Sequence, residues 1–456
     1  MSLPSELCEL LACPSTGQPL QLTGNQLSIA DSDNSYSDIA YPLISGVPWL
    51  LPNPANSLMD WGGKLNHFNQ VIMQEIQSLE RELKHASGAT AQRLQKLHTA
   101  KQIFLRRVCE LLIPVLAASA GAQPSNKAAY DALRDRAPTT QNLLSYEANL
   151  YRDWVWGEKE NRLTADLVLK HARGVNTEKL IVLGAGAGRL ALDIHTALQP
   201  KVTVATDINP LLVLAAQHIL SESDISISEF PLHPRNSECV AVEHTIKGVK
   251  KPHNFHFIFC DASNPAFLRG AFDTVVTPWF IDIQPLEFGR FLRQLNHYIP
   301  VGGHWINFGS LVFNQNRDAL CYAIDEVQEI AEQQGFTLTD IQQHEIPYLK
   351  SPYNAGYRME HVWSWAAQKH AEVKALNTPQ TLPSWALDNT QSIPKALYYQ
   401  QFSLTHRIYA QLAAEVDGGT SLVKIANKLA KQQQMNPEEA LHLVKNFFVD
   451  LHQQNQ

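Results

Sequence analysis

The chain has 456 residues, which is too long for one simple domain and predicts two to four folded units. Its composition is that of an ordinary globular protein with sizeable cores, since 45% of the residues are hydrophobic and 18% are charged. The net charge of −7 argues against a broad phosphate-binding surface, so we expect a small-molecule partner and no nucleic acid.

The first residues lack the features of a targeting segment. Glu6 and Glu9 lie where a signal peptide needs positive charge, and no apolar stretch is long enough for a membrane span. We therefore expect a cytoplasmic protein without a membrane contact. The cysteines are scattered along the chain, so a disulfide framework is not expected.

Short β-like runs separated by turn residues predict a small ribbon-like β domain over residues 1–55. The segments ELLACP, GQPL and AYPLISGVPWLL resemble small zinc-ribbon-derived domains. A structural zinc site needs four ligands, and here Cys8 and Cys13 have no second pair in the sequence. We therefore expect no metal and interpret this pair as the remainder of a lost metal site.

Two amphipathic helices are predicted next, because apolar residues recur every three to four positions between residues 65 and 118. The break near Ser87 and Gly88 is short, so the two helices should pack antiparallel. We assign residues 56–140 to this helical cover.

Strand-like and helical runs alternate over residues 141–370, a pattern typical of βαβ units around a parallel sheet. The predicted strands are Lys179–Leu183, Val202–Thr206, His256–Cys260, Thr274–Val276 and His304–Phe308. Residues 371–395 are rich in Pro, Thr, Asn and Ser and predict a linker.

The C-terminal residues 396–456 have helical patterns throughout. Asn436, Pro437 and two acidic residues form a good helix start. This part resembles the helical portion of PqqD-like modules, which implies a peptide or protein partner. The alternative is an element for packing or dimerisation.

A glycine-rich loop follows the first predicted strand of the central section. The strand LIVL leads into Gly184, Gly186 and Gly188, and a helical pattern follows. A dinucleotide fingerprint requires Gly or Ala at the sixth position, where this chain has Arg189, so an NAD-dependent oxidoreductase is disfavoured. The GxGxG spacing is found in class I S-adenosylmethionine (SAM) methyltransferases; the alternative is a tight turn without a ligand.

An aspartate follows each of the next two strands. Asp207 ends the second strand, where a carboxylate can accept hydrogen bonds from both hydroxyls of a ribose. Asp261 follows the third strand, where this fold usually addresses an adenine amino group. The alternatives are a helix cap for Asp207 and a turn residue for Asp261.

The motifs that carry a family resemblance are LYRDW (150–154), GAGAGRLA (184–191), FDTVVTPWFID (272–282) and VGGHWINFGSL (301–311). Together they resemble the carnosine N-methyltransferase family over about half of the chain. The resemblance implies SAM as cofactor and methyl transfer to an imidazole nitrogen of a histidine-containing small molecule. We therefore expect an α/β fold, a class I Rossmann-like methyltransferase sheet with a small β-rich N-terminal domain, a helical cover and a helical C-terminal domain.

The resemblance also implies roles for single residues. Arg152 matches the arginine that reaches the SAM carboxylate, and Asn149 stands where the family usually has glutamine. Gly184, Gly186 and Gly188 match the cofactor loop. Asp282 matches the catalytic carboxylate; its alternative is a cap of the following segment.

Methylation of an imidazole requires a group such as Asp282. The attacking nitrogen uses its lone pair, so the other ring nitrogen carries the proton. A carboxylate that accepts this N–H fixes the tautomer, stabilises the developing positive charge and can take the proton.

Departures from the family pattern concern the substrate. Asn314 stands where the family has a substrate-facing histidine. Tyr357 and Arg358 belong to a segment that replaces a run of tyrosines found in the family. Arg358 either binds a free α-carboxylate or is an exposed strand residue. Trp279 and Phe313 either line the substrate or belong to the core. The substrate is then 5-thiohistidine or its selenium analogue, as in ovothiol-type biosynthesis, or a carnosine-like dipeptide.

The alternative function is a catalytically silent scaffold of the same fold that binds a peptide or partner protein through its terminal segments. The retained cofactor residues favour the enzyme.

Overall fold

The computed structural model describes residues 3–29, 39–122, 141–313, 317–376 and 390–454. The chain divides into two compact units, Met1–Gln380 and Thr381–Gln456. The described strands are β1 (Leu20–Thr23), β2 (Gln26–Ile29), β3 (Ala40–Ile44), β4 (Val47–Leu50), β5 (Lys179–Leu183), β6 (Val202–Asp207), β7 (Ile225–Glu229), β8 (Val242–Ile246), β9 (Phe255–Cys260), β10 (Thr274–Pro278), β11 (His304–Gly309), β12 (Phe336–Tyr348) and β13 (Arg358–Lys369).

A π-helical turn, Arg152–Trp156, lies between two of the helices of the first unit. The described α-helices are α1 (Ser5–Cys8), α2 (Pro54–Leu83), α3 (Gly88–Ser119), α4 (Glu147–Tyr151), α5 (Glu158–His171), α6 (Arg189–Leu198), α7 (Pro210–Ile219), α8 (Phe288–Tyr298), α9 (Ile324–Gln333), α10 (Leu397–Ala414), α11 (Leu422–Gln433) and α12 (Pro437–Gln454).

The central feature of the first unit is a sheet with the strand order β1-β2-β3-β4-β9-β6-β5-β10-β11-β13-β12. The strands from β4 to β11 in this order pair in parallel, and β13 lies antiparallel between β11 and β12. The chain moves outward from β5 to β6 and β9, and then returns to the other side of β5 with β10. Ligands bind at such a reversal, outside the carboxyl ends of the strands, which here are the ends of β5 and β10.

The parallel strands are buried because both faces of the sheet are covered. Every residue of β9 and β10 is buried, and β5 is buried from Leu180 onward. The expected α/β class with a mostly parallel central sheet is confirmed.

The N-terminal strands are continuous with this sheet. The strands β1 to β4 form an antiparallel meander, and β4 then pairs in parallel with β9. Ser45 and Gly46 join β3 to β4 with positive φ angles of 51° and 80°, as a tight hairpin turn requires.

Cys13 is buried in this N-terminal part, and its thiol shares a hydrogen bond of 3.1 Å with the Tyr41 hydroxyl. The described residues contain no cluster of three or more His, Cys, Asp or Glu side chains suited to a metal ion.

The two predicted cover helices are α2 and α3. The side chain of Asn53 caps α2 by accepting the Asn56 N–H (3.2 Å), and Pro54 is the first helical residue. Phe68 and Phe104 pack edge to face across the helix pair, with ring centroids 6.0 Å apart. Both helices share a hydrophobic core with the strands of the central sheet.

The second unit consists of α10, α11 and α12. Its core contains Leu412, Ile425, Leu429 and Val444. Many large apolar side chains in the first half of α10 are exposed, among them Tyr398 and Phe402. None of the helices in the described parts of the chain is long and apolar enough to cross a membrane.

Candidate active site

The glycine loop lies at the carboxyl end of β5 and leads into α6. Its three glycines, Gly184, Gly186 and Gly188, have positive φ angles of 64°, 55° and 78°. A Cβ atom at Gly184 would lie 2.2 Å from the Phe280 ring, and one at Gly188 would lie 2.4 Å from the Phe257 ring. A Cβ at Gly186 would meet nothing within 4 Å. The outer two glycines therefore allow close protein packing, whereas Gly186 faces open space.

Asp207 lies beside this loop at the end of β6. One carboxylate oxygen accepts the Gly186 N–H (2.9 Å), and the other accepts the Asn209 N–H (2.9 Å). Burial raises the pKa of Asp207, and these backbone N–H groups lower it. The cap of α7 is Asn209, whose side chain accepts the Leu211 N–H (3.0 Å). The alternative role of Asp207 as a helix cap is therefore not observed.

Asp261 follows β9, and its carboxylate closes a turn. One oxygen accepts the Ser263 N–H (2.9 Å), and the other accepts the Asn264 side-chain amide (2.6 Å). Burial raises the pKa of Asp261, and both bonds lower it. The predicted turn role is therefore present, and the oxygens keep further lone pairs for a ligand.

Arg152 begins the π-helical turn Arg152–Trp156. Its guanidinium contacts the Asp153 carboxylate at 2.7 and 2.9 Å and lies 3.9 Å from a Glu160 oxygen. A Cβ at Gly157 would lie 2.3 Å from the Arg152 carbonyl oxygen, so the turn closes only on a glycine. π-Helical turns are rare and frequent at functional sites.

The same turn is tied to the glycine loop. The Trp154 indole donates to the Ala187 carbonyl (2.9 Å), and the Asn161 amide donates to the carbonyls of Arg152 (3.2 Å) and Asp153 (3.1 Å). Asn149, one turn earlier, has a buried side-chain oxygen without a hydrogen-bond partner among the described residues. A free acceptor thus lies one helical turn before the Arg152 cation.

Asp282 lies after β10, on the other side of the strand-order reversal. The Ser310 hydroxyl donates to one of its carboxylate oxygens. The other oxygen is buried and has no hydrogen-bond partner in the part of the chain that the structure describes. The residue is only 6% exposed, and burial raises the pKa of Asp282 while the Ser310 hydroxyl lowers it. Asp282 therefore has one oriented oxygen and one free oxygen.

An aromatic residue, Trp279, lies three positions before Asp282 in the chain and contacts further rings. Trp279 has a positive φ of 52°, and its backbone N–H donates to the Phe308 carbonyl (2.6 Å). Its ring centroid lies 4.7 Å from that of Tyr348, with the two rings tilted by 54°. The Arg358 guanidinium lies 4.8 Å from the centroid of the Tyr348 ring. Arg358 is largely exposed and also lies 3.4 Å from a Glu360 carboxylate oxygen.

The other predicted substrate residues are distributed differently. Tyr357 is exposed, with the Lys350 ammonium 4.2 Å above its ring. Phe313 is buried in the core, where its ring lies 5.5 Å from Phe288 and 5.7 Å from Tyr322. Asn314 lies outside the described residues.

The structure adds three residues that the sequence did not indicate, Ser310, Tyr348 and Tyr146. Tyr146 precedes α4 with a positive φ of 63°. Burial raises the pKa of Tyr146, and the charges of Tyr348, Asp282 and Asp207 raise it further, so its phenol lies within electrostatic range of all three. The sequence could not have indicated Tyr146, because a positive φ is uncommon for tyrosine and no sequence pattern predicts it at this position.

A model of the carnosine N-methyltransferase family matches residues 139–374, slightly more than half of the chain. A comparison with curated proteins finds no match. Among solved structures, the chain is similar to an S-adenosylmethionine-dependent methyltransferase from Clostridium acetobutylicum (11% identity, TM-score 0.33, covering 50% of this chain and 100% of that one). It is also similar to the YcgJ protein from Bacillus subtilis (13%, 0.33, 46% and 99%). A third similar structure is that of TYW2 from M. jannaschii in complex with AdoMet (15%, 0.29, 48% and 78%).

Proposed function

Since this protein belongs to the carnosine N-methyltransferase family, we propose that it methylates an imidazole ring nitrogen of a histidine-derived small molecule. The protein is a SAM-dependent methyltransferase, and bound SAM supplies the methyl group. In this proposal Asp282 is the catalytic residue that accepts the imidazole proton.

The residues around the glycine loop fit this cofactor. Asn149 offers a free acceptor and Arg152 a cation, which match the ammonium and carboxylate of an amino-acid end group. We assign the ribose to Asp207 and the closest approach of backbone and ligand to Gly186, where no protein atom fills the space. Asp261 is assigned to the adenine amino group through its remaining lone pairs.

The observation that carries the catalytic assignment is the free buried oxygen of Asp282. A buried acceptor without a partner is costly, and an imidazole N–H would satisfy it. The second oxygen is held by Ser310, which orients the carboxylate. In that arrangement Asp282 fixes the imidazole tautomer, stabilises positive charge on the ring and takes the proton.

The substrate side supports a compact, aromatic and anionic molecule. Trp279 and Tyr348 provide a polarisable wall near Asp282, and the exposed Arg358 provides a cation for a free α-carboxylate. We therefore propose 5-thiohistidine or its selenium analogue ahead of a carnosine-like dipeptide. Tyr357 and Asn314 stay in the proposal because they stand at positions that face the substrate in the family, and Phe313 stays as a further aromatic residue of the wall.

The first experiment is a methylation assay with SAM and a panel of L-histidine, carnosine and 5-thiohistidine. Product position is read by mass spectrometry and NMR. We expect Asp282→Asn to lower kcat by about 100-fold or more, the scale of lost general acid–base catalysis, with an unchanged Kd for S-adenosylhomocysteine (SAH). Asp166→Asn is the matched control, because Asp166 is exposed on α5 and should turn over normally.

Normal turnover by Asp282→Asn would return this residue to a structural role. Methylation of none of the panel compounds, together with normal SAH binding, would favour the silent scaffold over the enzyme.

We also propose a peptide or protein partner for the C-terminal unit. Support comes from the exposed aromatic side chains Tyr398, Tyr399 and Phe402 on α10. A pull-down with the full chain and with a Phe402→Ser variant tests this, and equal recovery of partners by both would count against it.

A further inference from the structure

Two buried carboxylates connect the π-helical turn Arg152–Trp156 to the segment between β12 and β13. Glu160 connects Arg152 to Leu349, and Glu229 connects Trp156 to Ser351. The two connections start in one five-residue segment and end within three residues of each other.

The first connection explains an unusual backbone conformation. Leu349 has a φ of 51°, a region that costs a leucine about 1–2 kcal/mol. Its N–H donates to a Glu160 oxygen at 3.3 Å, and the same oxygen lies 3.9 Å from the Arg152 guanidinium. Glu160 is 7% exposed, so both interactions are made largely away from water.

The second connection is a fully hydrogen-bonded carboxylate. Glu229, at the end of β7, accepts from the Trp156 indole (3.2 Å) and the Ser351 hydroxyl (2.8 Å). It also contacts His244 Nε2 at 2.8 Å, which fixes it to β8. Both Glu229 and Ser351 are buried. Removing one partner would leave a buried polar group unsatisfied.

The segment between β12 and β13 carries the substrate side of the site. Tyr348, whose ring packs against Trp279, ends β12 immediately before this segment, and Arg358 begins β13 at its other end. The turn at the opposite end of both connections carries Arg152. The position of the substrate wall is thus tied to the position of the cofactor arginine.

We infer that Glu160 and Glu229 are positioning residues that fix the segment Leu349–Ser351 to the cofactor-binding turn, so that occupation of the cofactor site orders the substrate side. The inference rests on the proposed role of Arg152. A ligand carboxylate on Arg152 restrains the turn Arg152–Trp156, and the two carboxylates transmit that restraint to Leu349 and Ser351. The binding of cofactor and substrate is then coupled, and the coupling is reciprocal.

The test is hydrogen–deuterium exchange of the backbone amides of Leu349, Lys350, Ser351 and Tyr353, with and without SAH. In the unmodified protein we expect SAH to slow this exchange several-fold. Ser351→Ala removes one of the two connections, so it should lose a clear part of that effect and raise the KM for the methyl acceptor, with the SAH Kd within about twofold of normal. Glu229→Gln should retain the effect, because the amide oxygen can still accept from the Trp156 indole and the amide NH2 can donate to the Ser351 hydroxyl oxygen.

The control is Ser364→Ala, which also removes a buried hydroxyl but one that contacts His171 (2.9 Å) and His344 (3.0 Å) instead. Its SAH-dependent protection should be normal. Equal SAH-dependent protection in Ser351→Ala and the unmodified protein would overturn the inference. Calorimetric titration of the unmodified protein with SAH distinguishes this outcome from a failure of the assigned cofactor site, in which that protein would not bind SAH, and the methylation assay tests the proposed function separately.

Discussion

The substitution Gly186→Ala separates two effects that a glycine substitution usually combines, which are backbone strain and steric conflict with a bound ligand. The residue has a φ of 55°, so alanine there pays about 1–2 kcal/mol for a left-handed conformation. This cost is the same with and without ligand, and it lowers the free energy of unfolding without changing the Kd. No protein atom lies within 4 Å of the new Cβ. Any loss of SAH affinity must therefore come from contact between that Cβ and the ligand.

We expect the SAH Kd of Gly186→Ala to rise at least tenfold, which corresponds to about 1.4 kcal/mol of steric conflict. Urea unfolding measures the conformational cost and calorimetry measures the Kd. Gly174→Ala is the matched control, since Gly174 has a φ of 75°, also has nothing within 4 Å, and lies in the turn before β5. If Gly186→Ala binds SAH as tightly as Gly174→Ala does, the cofactor does not approach the loop at this glycine.

Three further predictions concern titration and strain. Ser310→Ala removes the hydroxyl that lowers the pKa of Asp282. Because the ionised carboxylate is required for catalysis, the acid limb of the kcat–pH profile should move to higher pH. An unmoved acid limb would contradict the assignment of Asp282. Tyr146→Gly relieves a positive φ but removes a partly buried ring, so we expect the free energy of unfolding to stay within about 1 kcal/mol of normal. Turnover should be at least tenfold lower, and full activity would remove Tyr146 from the site. Burial raises the pKa of Glu147 to about 7. Between pH 4.5 and pH 7 the folded state therefore keeps a proton that the unfolded state has released. The free energy of unfolding accordingly falls as the pH rises through this range. Glu147→Gln should therefore stabilise the protein at pH 8 but not at pH 4, as compared by urea unfolding.

The sequence predicted the parallel sheet well, because its strands are apolar runs that end in turn residues. The run LIVL before Gly184 is fully buried in β5, and the predicted helix pair corresponds to α2 and α3. These features depend on local patterning, which a single sequence records directly. The loop glycines belong to the same class, since a strand-to-helix turn with positive φ angles needs glycine.

The connections across the site could not be predicted, because they depend on tertiary packing. Trp279 and Tyr146 adopt left-handed conformations that their residue types disfavour, and only the surrounding structure imposes them. Glu160 and Glu229 look like ordinary charged residues in a helix and a strand. Their role depends on Leu349 and other partners more than 100 positions away in the chain.

The three aspartates of the site look equivalent in the sequence, because Asp207, Asp261 and Asp282 each follow a buried strand of one sheet. Their hydrogen bonds distinguish them. Both oxygens of Asp207 and of Asp261 already accept bonds from neighbouring loop groups, which stabilise the charged form and suit a carboxylate that only binds. Burial raises the pKa of all three carboxyl groups, but Asp282 alone has a buried oxygen with no partner in the described residues. A carboxyl group that gains stabilisation from an N–H donor or from a proton is the one suited to accept the imidazole proton.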